Sequence, residues 1–241
     1  MNTRSLAPMA TALAVLVLSS FSGTRPAALR EPRPVGAFTE VNLGGTAHVV
    51  LRQGSPQSVV VEGSSEALAA FETVVTGAQL HLRPRRDQDG MGLLARAERG
   101  PVTVYVTAPV LTALRVGGSG ELAVEGPLRS DELTLALAGS GRLRVPQLTA
   151  GRLETALAGS GDVVVGGRCP RHDIRLSGSG TVRARDLITE TSEVSLSGSG
   201  DAYVYARKAA GASISGSGDV RVAGGAELRS AVRGSGRISR E

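Results

Sequence analysis

Seven serines in this chain sit directly between glycines: Ser119, Ser140, Ser160, Ser179, Ser199, Ser217 and Ser235. A serine on a glycine turn can serve as a nucleophile, and a glycine loop can turn its backbone N–H groups toward a phosphate. Three copies continue into an acid, at Asp162, Asp201 and Asp219, which adds calcium to the possible chemistries. Each chemistry makes a demand on the flanking residues. A nucleophile elbow needs the frame G-x-S-x-G between a strand and a helix. Here no helical pattern follows the motif, and a catalytic serine is normally unique. A phosphate loop needs G-x-x-x-x-G-K-[ST], and Lys208, the only lysine, lies outside that frame. Calcium-binding β-helices carry regular acids at a nonapeptide period. The position after the second glycine instead runs Glu121, Arg142, Asp162, Thr181, Asp201, Asp219, Arg237, and arginine repels a cation. Such a column predicts ion pairs between neighbouring repeats, Arg142 with Asp162 for example, worth under about 1 kcal/mol when exposed.

The remaining reactive residues are scattered. His48, His81 and His172 lack zinc-ligand spacing and read as surface or strand residues. Cys169 is the only cysteine, so no internal disulfide forms, and the thiol is expected to be buried or unpaired. No catalytic residue, cofactor or metal ligand is assigned from the sequence. Tyr203 and Tyr205 stand on alternate positions around Val204, so both project from one strand face; they are the candidate surface binding patch.

The elements that carry these residues follow from the spacing. Successive serines lie 21, 20, 19, 20, 18 and 18 residues apart. Two residues before the first glycine stand Val116, Leu137, Leu157, Leu176, Leu196, Ile214 and Val232. Two residues after the second stand Leu122, Leu143, Val163, Val182, Ala202, Val220 and Ile238, with polar residues between. Period-two alternation predicts strands with one face inward. A repeat this short cannot bury its own apolar face, whereas stacked repeats bury a continuous core. The fold class expected is therefore all-β: a parallel β-helix with about seven Gly-Ser-Gly coils of 18–21 residues and a strand-rich N-terminal part. If the chain stays extended through the motif, both glycines face inward and the serine outward. Ser230 and Arg240 replace aliphatics in the last coil, as a polar cap over the end of the stack would.

Composition agrees with this and narrows function. Hydrophobic residues make up 41% of 241, but aromatics only 2%, so the core must be aliphatic. The net charge of +5 is nearly all arginine, interleaved with acids and without aromatics for base stacking, which argues against nucleic acid. Arg4 followed by the apolar segment Leu6–Leu18 and small residues reads as a signal peptide over 1–22, with cleavage as late as 28. Residues 23–34 are expected to form a flexible leader, and 35–241 a single β-helical domain without an integral membrane segment. Ser64 and Glu66 mark a short helix start, and the charged, glycine-punctuated stretch 84–100 reads as a loop.

These residues also resemble a known family, the putative auto-transporter adhesin head GIN domain. "VGAFTEVNLGGTAHVVLRQGSPQSVVVEG" is similar to its opening, "GAQLHLRP" to its next strand, and "VTVYVTAPVLTALRVGGSGEL" to its entry into the Gly-Ser-Gly coils. The resemblance spans residues 35–241. It implies an exported bacterial β-helix, periplasmic, outer-surface or secreted, and brings no catalytic residues. The expected role is structural or interactive and adhesin-like at the cell envelope, with an envelope glycan or protein as partner. The alternative is a polysaccharide lyase or hydrolase on the same fold, which would need grouped carboxylates on one face.

Overall fold

A computed structural model describes residues 28–85 and 100–241. Strands make up 73% and helix 2%, and the chain winds into a β-solenoid of about six turns. The number of turns differs slightly from the seven coils expected. The signal segment over 1–22 and most of the loop expected over 84–100 lie outside the described residues.

Each coil lays one strand on a first side, turns at Gly-Ser-Gly, and lays the next on a second side. A shorter third side leads to the coil above. The first side carries β2 (Glu40–Gly45), β8 (Ala113–Gly118), the C-terminal part of β10 (Leu128–Gly139) and β13 (Arg171–Gly178). The second side carries β3 (His48–Gln53), β9 (Glu121–Val124), β12 (Asp162–Arg168) and β16 (Asp219–Ala223). Three long strands, β11 (Arg142–Gly159), β14 (Thr181–Gly198) and β15 (Asp201–Gly216), run from the second side through the third to the first. β17 (Glu227–Gly234) and β18 (Arg237–Arg240) form the last coil.

All these strands pair in parallel with matched corners. Gly45, Gly118, Gly139, Gly159, Gly178, Gly198, Gly216 and Gly234 form one rung-by-rung column. In-register pairing stacks like on like, so the aliphatic positions become continuous ladders. Leu137, Leu157, Leu176, Leu196 and Ile214 are buried on the first side, and Leu143, Val163, Val182 and Val220 on the second. Full burial of each such side chain is worth about 1.5–3 kcal/mol. The ladder frays at the last coil, where Val232 is 43% exposed and Ser230 and Arg240 stand in solvent.

The N-terminal strands belong to the same stack, in a different order from the sequence. β2 and β3 form a coil directly beneath β8 and β9. Beneath them lie β6 (Gln79–Pro84) and β7 (Thr103–Ala108), also parallel. Antiparallel strands then end the stack: β5 (Phe71–Thr76) on β6, β4 (Ser58–Gly63) on β7, and β1 (Leu29–Pro32) on β4. Residues 29–32, expected within the flexible leader, are thus strand, because the exposed edge of β4 offers them a full ladder of hydrogen-bond partners. The helix expected near Ser64 is α1 (Ser65–Ala69); the Ser64 hydroxyl accepts from the Ala67 N–H at 3.1 Å and caps it.

The corner divides the work between its two glycines. Gly178 adopts φ +115°, where only glycine is unstrained, and turns the chain. Gly180 is the buried one; a Cβ there would lie 2.5 Å from both the Gly161 carbonyl oxygen and Leu157 Cδ2. Only the second glycine is fully inward, since the turn at the first breaks the extended geometry. Replacing Gly180 with alanine forces adjacent coils apart and should cost about 1–3 kcal/mol, the range for overpacked cores. Gly36→Ala, where a Cβ meets nothing within 4 Å, should stay within about 0.5 kcal/mol. Urea denaturation of both variants checks this; equal midpoints would refute the close-approach account.

Candidate functional site

The outward-facing positions on the second side form the column read from the sequence as alternating charges. Its acids pair across coils with arginines of the same and the adjacent outward column: Arg142 with Asp162 at 3.4 Å, Arg183 with Asp162 at 2.8 Å, and Arg144 with Glu121 at 3.7 Å. Arg221 pairs with Asp219 within its own strand at 3.2 Å. Burial raises the Asp162 pKa, but Arg183 and Arg142 outweigh it and hold the carboxyl below its ordinary value. Among the described residues no three His, Cys, Asp or Glu side chains come together as a metal site. Ser199, at the centre of its corner, is exposed and its side chain has no partner among the described residues that could activate it.

Tyr203 and Tyr205 do project outward together from β15, both half-buried. Arg221 from the next coil stacks over the Tyr203 ring, 5.0 Å from its centroid, and donates a hydrogen bond to its hydroxyl. Tyr205 packs against Gly224. The tyrosine pair is thus partly covered by the protein's own arginine.

The interior holds a polar group that sequence reasoning missed. His172 is 1% exposed and faces inward from β13, one rung above Leu153 and one below Ser192. Its Nε2 lies 2.9 Å from the Thr155 hydroxyl; its Nδ1 and the Ser192 hydroxyl have no partner among the described residues. The reading of His172 as a surface or strand residue holds only for the strand. The period-two count places it inward, two positions before Ile174. Cys169 is buried as expected and donates to the Arg171 carbonyl at 3.0 Å; burial pushes its thiol pKa up.

The first side carries a groove of about 880 Å³; another of about 870 Å³ lies between Glu40, Gln53, Arg129 and Thr149. Two outward columns floor the first-side groove. One runs Ala136, Ala156, Arg175, Ser195, Ser213; the other runs Ala138, Ala158, Ser177, Ser197, Ser215. Beside it stands a column of carboxylates, Glu154, Asp173 and Glu193. This is the grouping a glycosidase would need, but Glu154 and Asp173 are held by arginines, and Glu193 alone of the three makes no ion pair with a described residue. Arg152 binds Glu154 at 2.9 Å and Asp173 at 2.8 Å, and Arg171 binds Asp173 at 3.1 Å. Burial raises the Asp173 pKa, and the two arginines more than reverse this, so it is a poor general acid.

Residues 37–226 match the family described as putative auto-transporter adhesin, head GIN domain. The chain belongs to this family. Among solved structures, this GIN domain is similar to a putative adhesin from Bacteroides fragilis, with TM-score 0.82, 20% identity, and coverage of 90% of this chain and 98% of that one. It is also similar to a putative lipid binding protein from Parabacteroides distasonis, at TM-score 0.74 and 21% identity, covering 90% and 97%. A putative adhesin from Parabacteroides merdae follows at TM-score 0.68 and 16% identity, covering 90% and 97%. At these identities the likeness shows the shared fold. No curated protein matches the chain.

Burial drives the His172 pKa from 6.5 to about 3. Above pH 6.5 the ring is neutral whether the GIN domain is folded or unfolded. Between 6.5 and about 3 only the unfolded chain takes up the proton. Stability therefore falls with pH across this window, by up to about 1.4 kcal/mol per unit. Asp162 and Asp173, with lowered pKa values, add their own loss only at lower pH. Urea midpoints between pH 7 and 4.5 should fall steeply for the native chain and less for His172→Leu; parallel slopes would dismiss His172 as the cause.

Proposed function

We propose that this GIN domain is an exported cell-envelope protein that works by binding, in an adhesin-like role, without catalysing a reaction. The observation that carries this reading is the distribution of outer side chains. Many outer charges are spent on ion pairs, no Gly-Ser-Gly serine is coupled to a base among the described residues, and the groove on the first side has a floor of methyls, hydroxyls and one guanidinium. Such a surface can hold a ligand but has nothing to cleave it with. The family description and the adhesins among the solved neighbours support the same role. The lipid-binding description of one neighbour draws less support from this chain. A groove open along its length leaves an acyl chain half in water. The apolar leader Leu6–Leu18 supports export, and among the described residues no helix is long and apolar enough to cross a membrane.

Expression with the native leader tests the first half of the reading. The exported fraction should contain a chain shortened by roughly 22–28 residues, the range expected for signal removal; retention of the whole chain in the cytoplasm would overturn it. A screen against envelope glycans and proteins tests the second half. Retained ligand without new reducing ends or unsaturated products is expected, and turnover of any polysaccharide would instead establish the enzyme alternative. Tyr203 and Tyr205 are the second contact surface to test. A Tyr203→Ala, Tyr205→Ala double variant that binds as the native chain does would remove them from consideration.

A further inference from the structure

Several arginines of the described residues have no acid partner, and two of them, Arg175 and Arg233, both lie on the first-side groove. Most arginines of the solenoid are matched to an acid in the same or a neighbouring coil. Arg175 and Arg233 are not: neither makes a hydrogen bond or ion pair with any described residue. Both face outward on the first side and line the groove, and their column neighbours are Ala156, Ser195 and Ser215. Arg115 lines its other end and is tied to Glu40. Arg115, Arg175 and Arg233 stand three coils apart from one another, about 14 Å at each step for a strand spacing of ~4.8 Å. The floor between them changes from alanine in the coils nearer Arg115 to serine in those nearer Arg233.

The dimensions select the occupant. The groove runs across six coil spacings, about 29 Å, and is two outward residues wide, which makes roughly 300 Å². A stable protein partner, including a second copy, needs about 800 Å² on each side. Strand addition is closed too, because every internal strand edge is already paired within the stack. Nucleic acid would want aromatic rings to stack on, and the groove has none. A slender linear polymer fits the length and width. Serine hydroxyls repeating with the coils offer hydrogen bonds to sugar hydroxyls, alanine methyls meet the apolar faces of sugar rings, and the two unpaired guanidinium groups await carboxylates.

We infer that the first-side groove binds a linear, carboxylated polysaccharide lying along the solenoid axis, with its acid groups on Arg175 and Arg233. This rests on the binding role proposed above and names the ligand class. Titration of the full mature chain with polygalacturonate at low salt should show saturable binding that weakens as salt screens it. A double reversal, Arg175→Glu with Arg233→Glu, should weaken binding by about tenfold or more. Reversal of two arginines off the groove, Arg168→Glu with Arg207→Glu, makes the same change in net charge and should leave affinity within about twofold. Both pairs are exposed, and thermal melting confirms that each variant is folded. Equal loss in both double variants would show attraction by net charge alone and overturn the groove. Stronger binding of neutral dextran, of anionic-lipid vesicles or of an oligonucleotide than of polygalacturonate would also overturn it. If the envelope screen yields a ligand that the groove variants still bind, the binding role stands and the groove assignment falls.

Discussion

At each Gly-Ser-Gly corner the backbone of one coil lies against the backbone of the coil below so closely that no Cβ fits between them. A methyl on Gly180 would press into the Gly161 carbonyl and the Leu157 side chain together. The main chain gains from this closeness, since Ser179 N–H and Gly180 N–H both donate to the Gly159 carbonyl at 2.9 Å. The corner therefore keeps its ladder where most parallel strands would lose theirs to a loop. It also locks the register. A slip of one residue would bring a serine or an acid to the buried position, and every inward side chain on both flanking strands would reverse its face.

Locked register turns a repeated sequence into columns with one environment each. Inside, Leu stacks on Leu and Val on Val, so a core with few aromatics is still fully buried. The cost falls on any polar residue that enters an inward position. His172 shows it: its Thr155 partner satisfies one ring nitrogen, the other is left within the core, and the charged form is excluded at neutral pH. The N-terminal end obeys a second rule. A parallel stack has no natural last strand, and the antiparallel β5, β4 and β1 supply one by turning the chain back on itself, with α1 joining β4 to β5.

The solenoid was readable because its signals are repeated and local. Period two gave the strands, the serine spacing gave the coil, and the acid column gave the Arg142–Asp162 pair. What the sequence hid was non-local. β2 pairs with β6 and β8 on its two sides, an order that no count along the chain reveals. β1 forms only because the β4 edge is present. The two glycines of a corner look alike in sequence, and only the turn at Gly178 separates their roles. The groove was missed for a related reason. Its floor is made of Ala and Ser, residues that carry no signal singly, and it becomes a surface only when five coils align them.

Stacking at ~4.8 Å makes like charges in one column repel unless something intervenes. The chain uses three arrangements to relieve this. Opposite charges alternate along a column, as in Glu121, Arg142 and Asp162. Two columns of opposite sign stand side by side, as Arg152 and Arg171 beside Glu154 and Asp173. Where Asp201 and Asp219 do fall on neighbouring rungs, the Asp219 backbone N–H donates to the Asp201 carboxylate at 3.2 Å. Arg175 follows none of these. Alanine and serine flank it in its own column, so stacking imposes no repulsion, but nothing neutralises it either, although Asp173 lies two residues away in the same strand. Asp173 is already held by Arg152 and Arg171, and that commitment is what leaves the Arg175 guanidinium facing the groove. The acid column that first suggests catalysis is thus the reason the groove keeps a free positive charge.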